Sequence, residues 1–416
     1  MNKTTKMKTV RKFDFDIERF PAVVFESDDW GSAQNLPDLE QKEAFDNIVG
    51  AKPYYPKLES RKEMLALFSV LEKHRGADGL KPVITAFTCM GNPDYDAIRA
   101  NGFTKYEDIS VEHGFPAGWD GMDVVKTWKE GIARDVWHPE YHAFFHHISA
   151  KLWLKLLKED SKEGLQARQL FEMNNFSLPY HLPEYDGFTE AEAEAFIKEG
   201  FARFERLFGY RPSAAVTSDA YPWTIRLWAE AGIKTACLTN FRLNNGEVVY
   251  YQTKPWNFQD PDARCGDYDV EKNIIYMTRN VWFEPHDSGV PAEEAFAACE
   301  NNFTKYKDPA IIQPHRINYC VFPEDIAEKR LKELDRLLEM LSNRGVYFLT
   351  TAELSDIYRQ GYSKRKLSNG TVLRKWTICD LDKDYGEATD LSSGRKVVIK
   401  REMTGNFLLH EQTEGC

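Results

Sequence analysis

Residues 22–30 read Ala-Val-Val-Phe-Glu-Ser-Asp-Asp-Trp, an apolar run that leads directly into two acids. The run over residues 22–25 predicts a buried strand, and chemistry in α/β folds is placed at the carboxyl ends of strands. Adjacent side chains on extended backbone point to opposite faces, so we expect Asp28 and Asp29 to perform different tasks. The alternative is a turn or helix cap, where Asp and Ser are also favoured.

Strand-like and helix-like patterns alternate on both sides of this stretch up to about residue 360. The alternation predicts an α/β fold with a largely parallel, barrel-like sheet. We expect three parts: an N-terminal extension over residues 1–20, a catalytic barrel over 21–362 and a small β-rich appendage over 363–416. Within the barrel, residues 31–57 and 88–120 are predicted to be irregular loops near the site.

Composition narrows the classes of partner. The chain has 416 residues and a net charge of −11, which argues against nucleic acid or an anionic membrane as the main partner. Its seven cysteines include no C-x-x-C pair, which is typical of reduced thiols in a cytoplasmic protein. No apolar run is long enough for a signal peptide or a transmembrane segment, so we expect a cytoplasmic location. The oligomeric state is not predicted.

A histidine pair provides the second feature. His138 and His142 are four residues apart, and Pro139 fits the first position of a helix, so we predict a strand-to-helix junction with both imidazoles on one helical face. Two imidazoles and one carboxylate can hold a metal ion and leave positions open for water and substrate. His146 follows His142 by four residues, so the pair 142/146 is the alternative. Surface histidines on a helix are the other interpretation.

The third feature is Pro314-His315, directly after a predicted strand over residues 310–313. A histidine at the end of a buried strand is well placed to act as a general acid. The alternative is a histidine that caps the following loop.

Three motifs in this order resemble those of the polysaccharide deacetylase superfamily (NodB homology, carbohydrate esterase family 4). Ser27-Asp28-Asp29 is similar to its T-F-D-D motif, His138 to His142 to its H-x-x-x-H motif, and Pro314-His315 to its L-x-H motif. The resemblance covers roughly residues 20–360. It implies a distorted (β/α)7 barrel, which agrees with the alternation of elements.

The resemblance also implies a role for each matching residue. Asp28 would be the catalytic base, and His315 would protonate the leaving amine. Asp29, His138 and His142 would hold one divalent metal ion, with Zn²⁺ expected, although such a set also accepts Co²⁺, Ni²⁺, Mn²⁺ or Fe²⁺. A bound Zn²⁺ lowers the pKa of its water towards about 7 and polarises a carbonyl, which suits hydrolysis of an amide or ester.

The sequence departs from the family at the R-x-P-(Y/W) motif, whose arginine orients the base. Asp219 stands where that arginine is expected. One hypothesis is a reversed charge pair, with Arg279 reaching the site and Asp219 balancing it; the alternative is a surface arginine at a strand end. Trp30 and Trp282 are candidate substrate-binding residues, each also compatible with ordinary packing.

We therefore expect a metal-dependent hydrolase that removes an acetyl group from an N- or O-acetylated sugar or polysaccharide. Two alternatives stay open. One is a metal-dependent hydrolase of a non-sugar amide on the same fold. The other is a carbohydrate-binding protein that has lost its chemistry, which the missing arginine favours and the retained acids and histidines oppose.

Overall fold

The structure of the protein is a computed structural model that describes residues 17–144, 148–179, 182–217, 222–238, 241–244, 247–250, 265–285, 292–370, 372–376, 385–390 and 395–400. The strands, in chain order, are β1 (Ala22–Trp30), β2 (Tyr55–Pro56), β3 (Ile84–Thr88), β4 (Gly91–Pro93), β5 (Asp108–Ser110), β6 (Trp137–Tyr141), β7 (Ala214–Val216), β8 (Thr235–Leu238), β9 (Phe241–Asn244), β10 (Glu247–Tyr250), β11 (Asp267–Asp269), β12 (Ile274–Thr278), β13 (Val281–Trp282), β14 (Ala310–Gln313), β15 (Val321–Phe322), β16 (Tyr347–Leu349), β17 (Tyr362–Lys366), β18 (Val372–Trp376), β19 (Tyr385–Asp390) and β20 (Arg395–Lys400).

Helices alternate with these strands through most of the chain. They are α1 (Lys42–Val49), α2 (Arg61–Leu71), α3 (Tyr95–Ala100), α4 (Val124–Ala133), α5 (Ala150–Leu156), α6 (Lys162–Glu172), α7 (Glu190–Phe208), α8 (Pro222–Glu230), α9 (Ala292–Asn301), α10 (Glu324–Arg344) and α11 (Thr351–Gln360). A π-helical turn follows α9 at Asn302–Tyr306, and a 3-10 turn lies at Arg316–Asn318.

The main sheet closes on itself through one stretch of chain. Its parallel strands run in the order β12, β8, β7, β6, β3, β1, β14 and β13. Only Arg279 and Asn280 separate β12 from β13, so the two ends of this parallel order belong to one continuous segment. The short strand β11 pairs antiparallel with the other side of β12. The backbone N–H of Arg279 donates to Leu238 on one side, and that of Asn280 donates to Ile311 on the other.

Counted as one strand, this segment completes a ring with β1, β3, β6, β7, β8 and β14, which gives seven parallel strands. The predicted distorted (β/α)7 barrel is therefore confirmed. Among the outer helices, α2 packs against both α4 and α10, and α7 packs against α8.

Strand β1 lies at the centre of the sheet. It pairs with β14 on one side and, on the other, first with β16 and then with β3. Its leading residues Val23, Val24 and Phe25 are at most 1% exposed. A parallel strand covered on both faces is expected to be continuously apolar, as residues 22–25 are. The same burial holds the end of β1, where the acids lie, in one position.

The structure corrects three local expectations. Residues 31–57, predicted to be a loop, contain α1 and β2, and residues 88–120 contain the β4–β5 hairpin and α3. The predicted junction at residues 138–142 is also wrong, because residues 137–141 form β6 and pair in register with β3. Pro139 thus lies within a strand, opposite Ala86.

Two hairpins, β17–β18 and β19–β20, lie in the region predicted to be a β-rich appendage. The division into residues 1–20, 21–362 and 363–416 stays a prediction. Cys89, Cys237, Cys299 and Cys320 are buried free thiols, as expected for reduced cysteines. Within the described part of the chain, every helix is too short or too polar to cross a membrane.

Candidate active site

A β-bulge at the end of β1 places the two acids. Ser27 pairs with Ala86 and Trp30 with Thr88, so three steps along β1 match two steps along β3. Asp29 takes up the extra residue in a left-handed conformation with φ of 73°, and Gly31 follows with φ of 81°. A left-handed non-glycine residue is uncommon and is often found at functional sites. The expectation that the acids alternate on extended backbone is wrong here, because the bulge interrupts the alternation.

Asp28 is held by a buried arginine. Its two carboxylate oxygens accept hydrogen bonds from the Arg279 guanidinium at 2.5 and 2.7 Å, and the Nε of Arg279 donates to Glu26 at 2.8 Å. Asp28 is 4% exposed, whereas Arg279 and Glu26 are fully buried. The pKa of Arg279 is lowered by burial but raised further by the charges and hydrogen bonds of Asp28 and Glu26, so its net pKa lies above the usual value.

The contact between Arg279 and Asp28 supports the first part of the reversed-charge hypothesis, that Arg279 reaches the site. Arg279 does reach the site, although it comes from the kink between β12 and β13 and not from the position of the family motif. It orients Asp28 through a bidentate contact, which fixes both the plane and the position of the carboxylate. Asp219, its predicted counter-charge, lies outside the described residues, and Glu26 and Asp28 already supply two negative charges.

The third motif forms a second acid–histidine contact. His315 follows β14, and its backbone forms an isolated parallel bridge with Asp28. Its Nδ1 contacts Oε1 of the buried Glu284, whose other oxygen accepts a hydrogen bond from Asn318 at 2.7 Å. Its Nε2 lies 3.5 Å from Asp28 Oδ2, and a quarter of the side chain is exposed.

These neighbours set the protonation of His315. Partial burial of the ring lowers its pKa, but the charge and hydrogen bond of Glu284, followed by the charges of Asp29 and Asp28, outweigh that effect. The net result raises the pKa of His315 to about 10. The imidazole is therefore protonated at neutral pH, the state that a general acid requires.

Asp29 faces the remaining histidine. Oδ1 of Asp29 lies 3.3 Å from His142 Nε2, while Nδ1 of the same ring lies 3.1 Å from the Val216 carbonyl oxygen. A carbonyl can only accept, so Nδ1 carries the proton and Nε2 is left to face Asp29. Burial lowers the pKa of His142, but the hydrogen bond to Asp29 and the charges of both aspartates raise it overall.

The donor set fits part of a metal site. A histidine that donates one nitrogen to a carbonyl and directs the other at a carboxylate has the arrangement usual for metal-binding histidines. Asp29 and His142 therefore suit a divalent ion in their chemistry. Among the residues that the structure describes, no third His, Cys, Asp or Glu completes a group.

His138 does not join this pair, which corrects the predicted ligand set. Because it lies four residues before His142 on a strand, and not on a helix, the two Cα atoms are about 13 Å apart at about 3.3 Å per residue. The Nε2 of His138 instead lies 3.4 Å from Glu140, and its ring stacks on Tyr210. His138 thus has Glu140 and Tyr210 as its neighbours, whereas His142 is the histidine that contacts Asp29.

The remaining candidate residues are Trp30, Trp282 and His146. Trp30 is not a substrate platform, because it is fully buried, donates to Ser27 and packs edge-on against Trp137. Trp282 is half-buried at the end of β13, and its role in binding stays a prediction. His146, the alternative partner of His142, lies outside the described residues.

Some site residues carried no clear signal in the sequence. Glu284 lies 31 positions before His315, and no spacing pattern in the sequence joins the two. Glu26 precedes the acids on β1 and is the second partner of Arg279. Glu59 and Arg316 form a buried ion pair at 2.8 Å that no spacing pattern indicated.

Comparison with known proteins gives distant structural similarity. The sequence matches no family model and no curated protein. Among solved structures, a protein assigned as a polysaccharide deacetylase from Pseudomonas aeruginosa PAO1 aligns with a TM-score of 0.42 and 11% identity, covering 82% of this chain and 93% of that one. A second, from Mycobacterium smegmatis, aligns at 0.40 and 12%, covering 85% and 95%.

A 4-alpha-glucanotransferase from Thermococcus litoralis also matches, with a TM-score of 0.41 and 12% identity. The alignment covers 80% of this chain but only 40% of the transferase. The functional argument rests on the residues of the site.

Proposed function

We propose that the protein is a metal-dependent hydrolase that removes an acetyl group from an N- or O-acetylated sugar or polysaccharide. The observation that carries the proposal is the convergence of Asp28, Asp29, His142 and His315 at the carboxyl ends of β1, β6 and β14. Residues separated by up to 287 positions in the chain meet there, with their protonation and orientation set by buried partners.

Asp28 and His315 divide the proton transfers. Asp28 is placed to accept a proton from the attacking water, because Arg279 holds its carboxylate in one orientation. His315, protonated at neutral pH, is placed to donate a proton to the leaving nitrogen or oxygen. Their side chains approach within 3.5 Å, so one reacting centre can be reached by both.

Asp29 and His142 would hold the metal ion, with Zn²⁺ as the expected ion. When bound, such an ion acts as a Lewis acid towards the carbonyl oxygen and lowers the pKa of water. The Val216 carbonyl keeps the His142 ring in the tautomer that metal binding requires. We propose His146 as the third ligand, because it follows His142 by four residues and His138 is placed elsewhere.

The acetylated carbohydrate remains a proposal of substrate class. It rests on the motif resemblance. A non-sugar amide would need the same base, metal ion and acid, so the competing hydrolase differs in substrate and not in mechanism. A binding protein without chemistry is disfavoured, because Arg279 fills the role that the missing motif arginine left open.

A direct test is acetate release from a panel of N- and O-acetylated sugars, beside small cyclic and linear amides, by protein stripped of metal and then reloaded with Zn²⁺. The proposal predicts release that requires the ion and is highest with an acetylated sugar. Hydrolysis confined to the amides would favour a hydrolase of non-sugar amides. Metal-dependent binding of a sugar without any hydrolysis would favour a carbohydrate-binding protein.

The ligand assignment has its own control within the histidine series. His146→Ala should reduce Zn²⁺ affinity as strongly as His142→Ala, whereas His138→Ala should leave it unchanged. If His138→Ala were the variant that lost the ion, the proposed ligand set would be wrong.

A further inference from the structure

The bulge that carries the two acids is tied to the segment that carries His315 by a buried ion pair. Glu59 is fully buried and uses one oxygen, Oε1, to accept the backbone N–H of Gly31 at 2.9 Å. Its other oxygen, Oε2, accepts NH1 of Arg316 at 2.8 Å. One carboxylate therefore bridges the residue two positions after Asp29 and the residue directly after His315.

Further contacts show that the bulge depends on such support. The Asn92 side chain donates to the Gly31 carbonyl at 2.9 Å and accepts the Ala33 N–H at 2.7 Å, so both sides of this turn are bound. Asp29, a non-glycine residue at positive φ, keeps this conformation only where its surroundings hold it. Asn92 holds the turn locally, whereas Glu59 alone among these contacts also reaches the segment of His315.

The charge of the pair is matched inside the protein. Arg316 is 2% exposed, and its guanidinium is close enough to Asp29 for their charges to interact as well as bonding Glu59. Without Glu59, a buried positive charge would face the carboxylate proposed to bind metal. An uncompensated buried charge is strongly unfavourable, so the pair is retained or lost as a unit.

We propose that Glu59 is a positioning residue for hydrolysis: it bridges the Asp28–Asp29 bulge and Arg316 and thereby fixes the separation between the base and the acid. Glu59 itself touches no reacting atom. This inference rests on the proposed function for its kinetic consequence, but the bridge itself can be tested without any activity.

The test compares Glu59→Gln with the matched control Glu63→Gln. Glu63 lies four residues later, at the start of α2, and forms an ion pair with Lys57 at 2.6 Å, in which the two side chains are 8% and 12% exposed. Its other contacts are with Ser60 and not with the bulge. A role limited to holding α2 would make the two variants behave alike.

Glu59→Gln should lower kcat by about 10- to 100-fold with KM within about threefold, because misplacement of a reacting group by 1 Å can cost about 100-fold. Amide hydrogen exchange at residues 29–33 should accelerate by about tenfold or more, the range for loss of a charge-assisted hydrogen bond. Glu63→Gln should leave both quantities within about twofold, since it leaves the bulge intact.

A double variant separates position from charge and keeps the test valid if Glu59→Gln does not fold. In Glu59→Gln, the unpaired Arg316 charge beside Asp29 should lower Zn²⁺ affinity. Glu59→Gln with Arg316→Met has no unpaired guanidinium, so its Zn²⁺ affinity should be within about threefold of wild type while kcat stays low. Wild-type kcat in the double variant, or unchanged exchange at residues 29–33 in Glu59→Gln, would overturn the proposal. If wild type itself hydrolyses nothing, the proposed function fails, and the exchange result still decides whether the bridge exists.

Discussion

Replacing Arg279 with methionine tests how the buried charges of the site depend on one another. The guanidinium makes three charge-assisted hydrogen bonds, of 2.5, 2.7 and 2.8 Å, to Asp28 and Glu26. At about 1.5–3 kcal/mol each, their simple sum is about 5–9 kcal/mol. Such bonds within one buried network are not additive, and breaking a buried ion pair by removing one partner typically costs about 3–5 kcal/mol.

We therefore expect Arg279→Met to reduce the free energy of unfolding by about 3–5 kcal/mol at pH 7, measured by urea denaturation at 25 °C. Arg279→Lys keeps the charge but loses the bidentate geometry, so it should be more stable than Arg279→Met and still lose about 100-fold in kcat.

The matched control for this prediction is Arg330→Met. Arg330 is also buried, but its guanidinium donates to the Ile317 carbonyl and lies over the Tyr54 ring, so its removal orphans no charge. We expect a loss of about 1 kcal/mol that does not vary with pH. Equal losses of unfolding free energy in the two variants would refute the electrostatic account of the site.

Three further predictions address individual residues. Glu284→Gln should lower the pKa of His315, because the charge of Glu284 is the largest factor that raises it. The alkaline limb of the plot of kcat against pH should therefore move down by about 1–3 pH units from about 10. An unmoved limb would exclude His315 as the general acid. His142→Ala should weaken Zn²⁺ binding by at least about 100-fold in calorimetry, since even outer residues contribute 10–100-fold, and His138→Ala should not. Trp30→Phe should lower stability by about 1–3 kcal/mol with KM unchanged, and a large rise in KM would restore Trp30 as a substrate contact.

The pH dependence of stability follows from the same histidine. The folded-state pKa of His315 is raised to about 10 from the usual 6.5, so its contribution to stability is fully present below about pH 6.5 and is lost as the pH rises through about 10. In Glu284→Gln this contribution is smaller. The difference in unfolding free energy between wild type and variant should therefore be constant at low pH and decline only between the lowered His315 pKa of the variant and about pH 10.

The sequence predicted the barrel and the site at its strand ends, because both depend on local patterns. Alternation of strands and helices, the apolar run before the acids and the capping box of Thr189 with Glu192 are properties of neighbouring residues, and the structure contains each of them. The order of the motifs along the chain then placed Asp28, Asp29 and His315 together.

The errors arose where tertiary structure overrides local preference. Pro139 suggested the start of a helix, yet pairing with β3 holds His138 and its neighbours in a strand. The strand after Phe25 suggested alternating acids, yet a single inserted residue in β1 turned Asp29 towards His142. Neither the register of a neighbouring strand nor a bulge can be identified from the spacing of residues in one segment.

Arg279 illustrates an intermediate case. A reversed charge pair was a hypothesis from an absent motif, and Arg279 does bind Asp28. Its position depends on the kink that allows residues 274–282 to pair with β8 and then with β14 and so close the barrel. The feature that closes the fold is therefore also the feature that supplies the missing orienting residue.

We propose that Asp28 accepts the proton of the attacking water while Asp29 holds the metal ion. The most direct measurement is Zn²⁺ content and acetate release on the same preparations of wild type, Asp28→Asn and Asp29→Asn. The account predicts that Asp28→Asn keeps the ion and loses hydrolysis, whereas Asp29→Asn loses both. Loss of the ion from Asp28→Asn with retention by Asp29→Asn, or full acetate release by either variant, would contradict it.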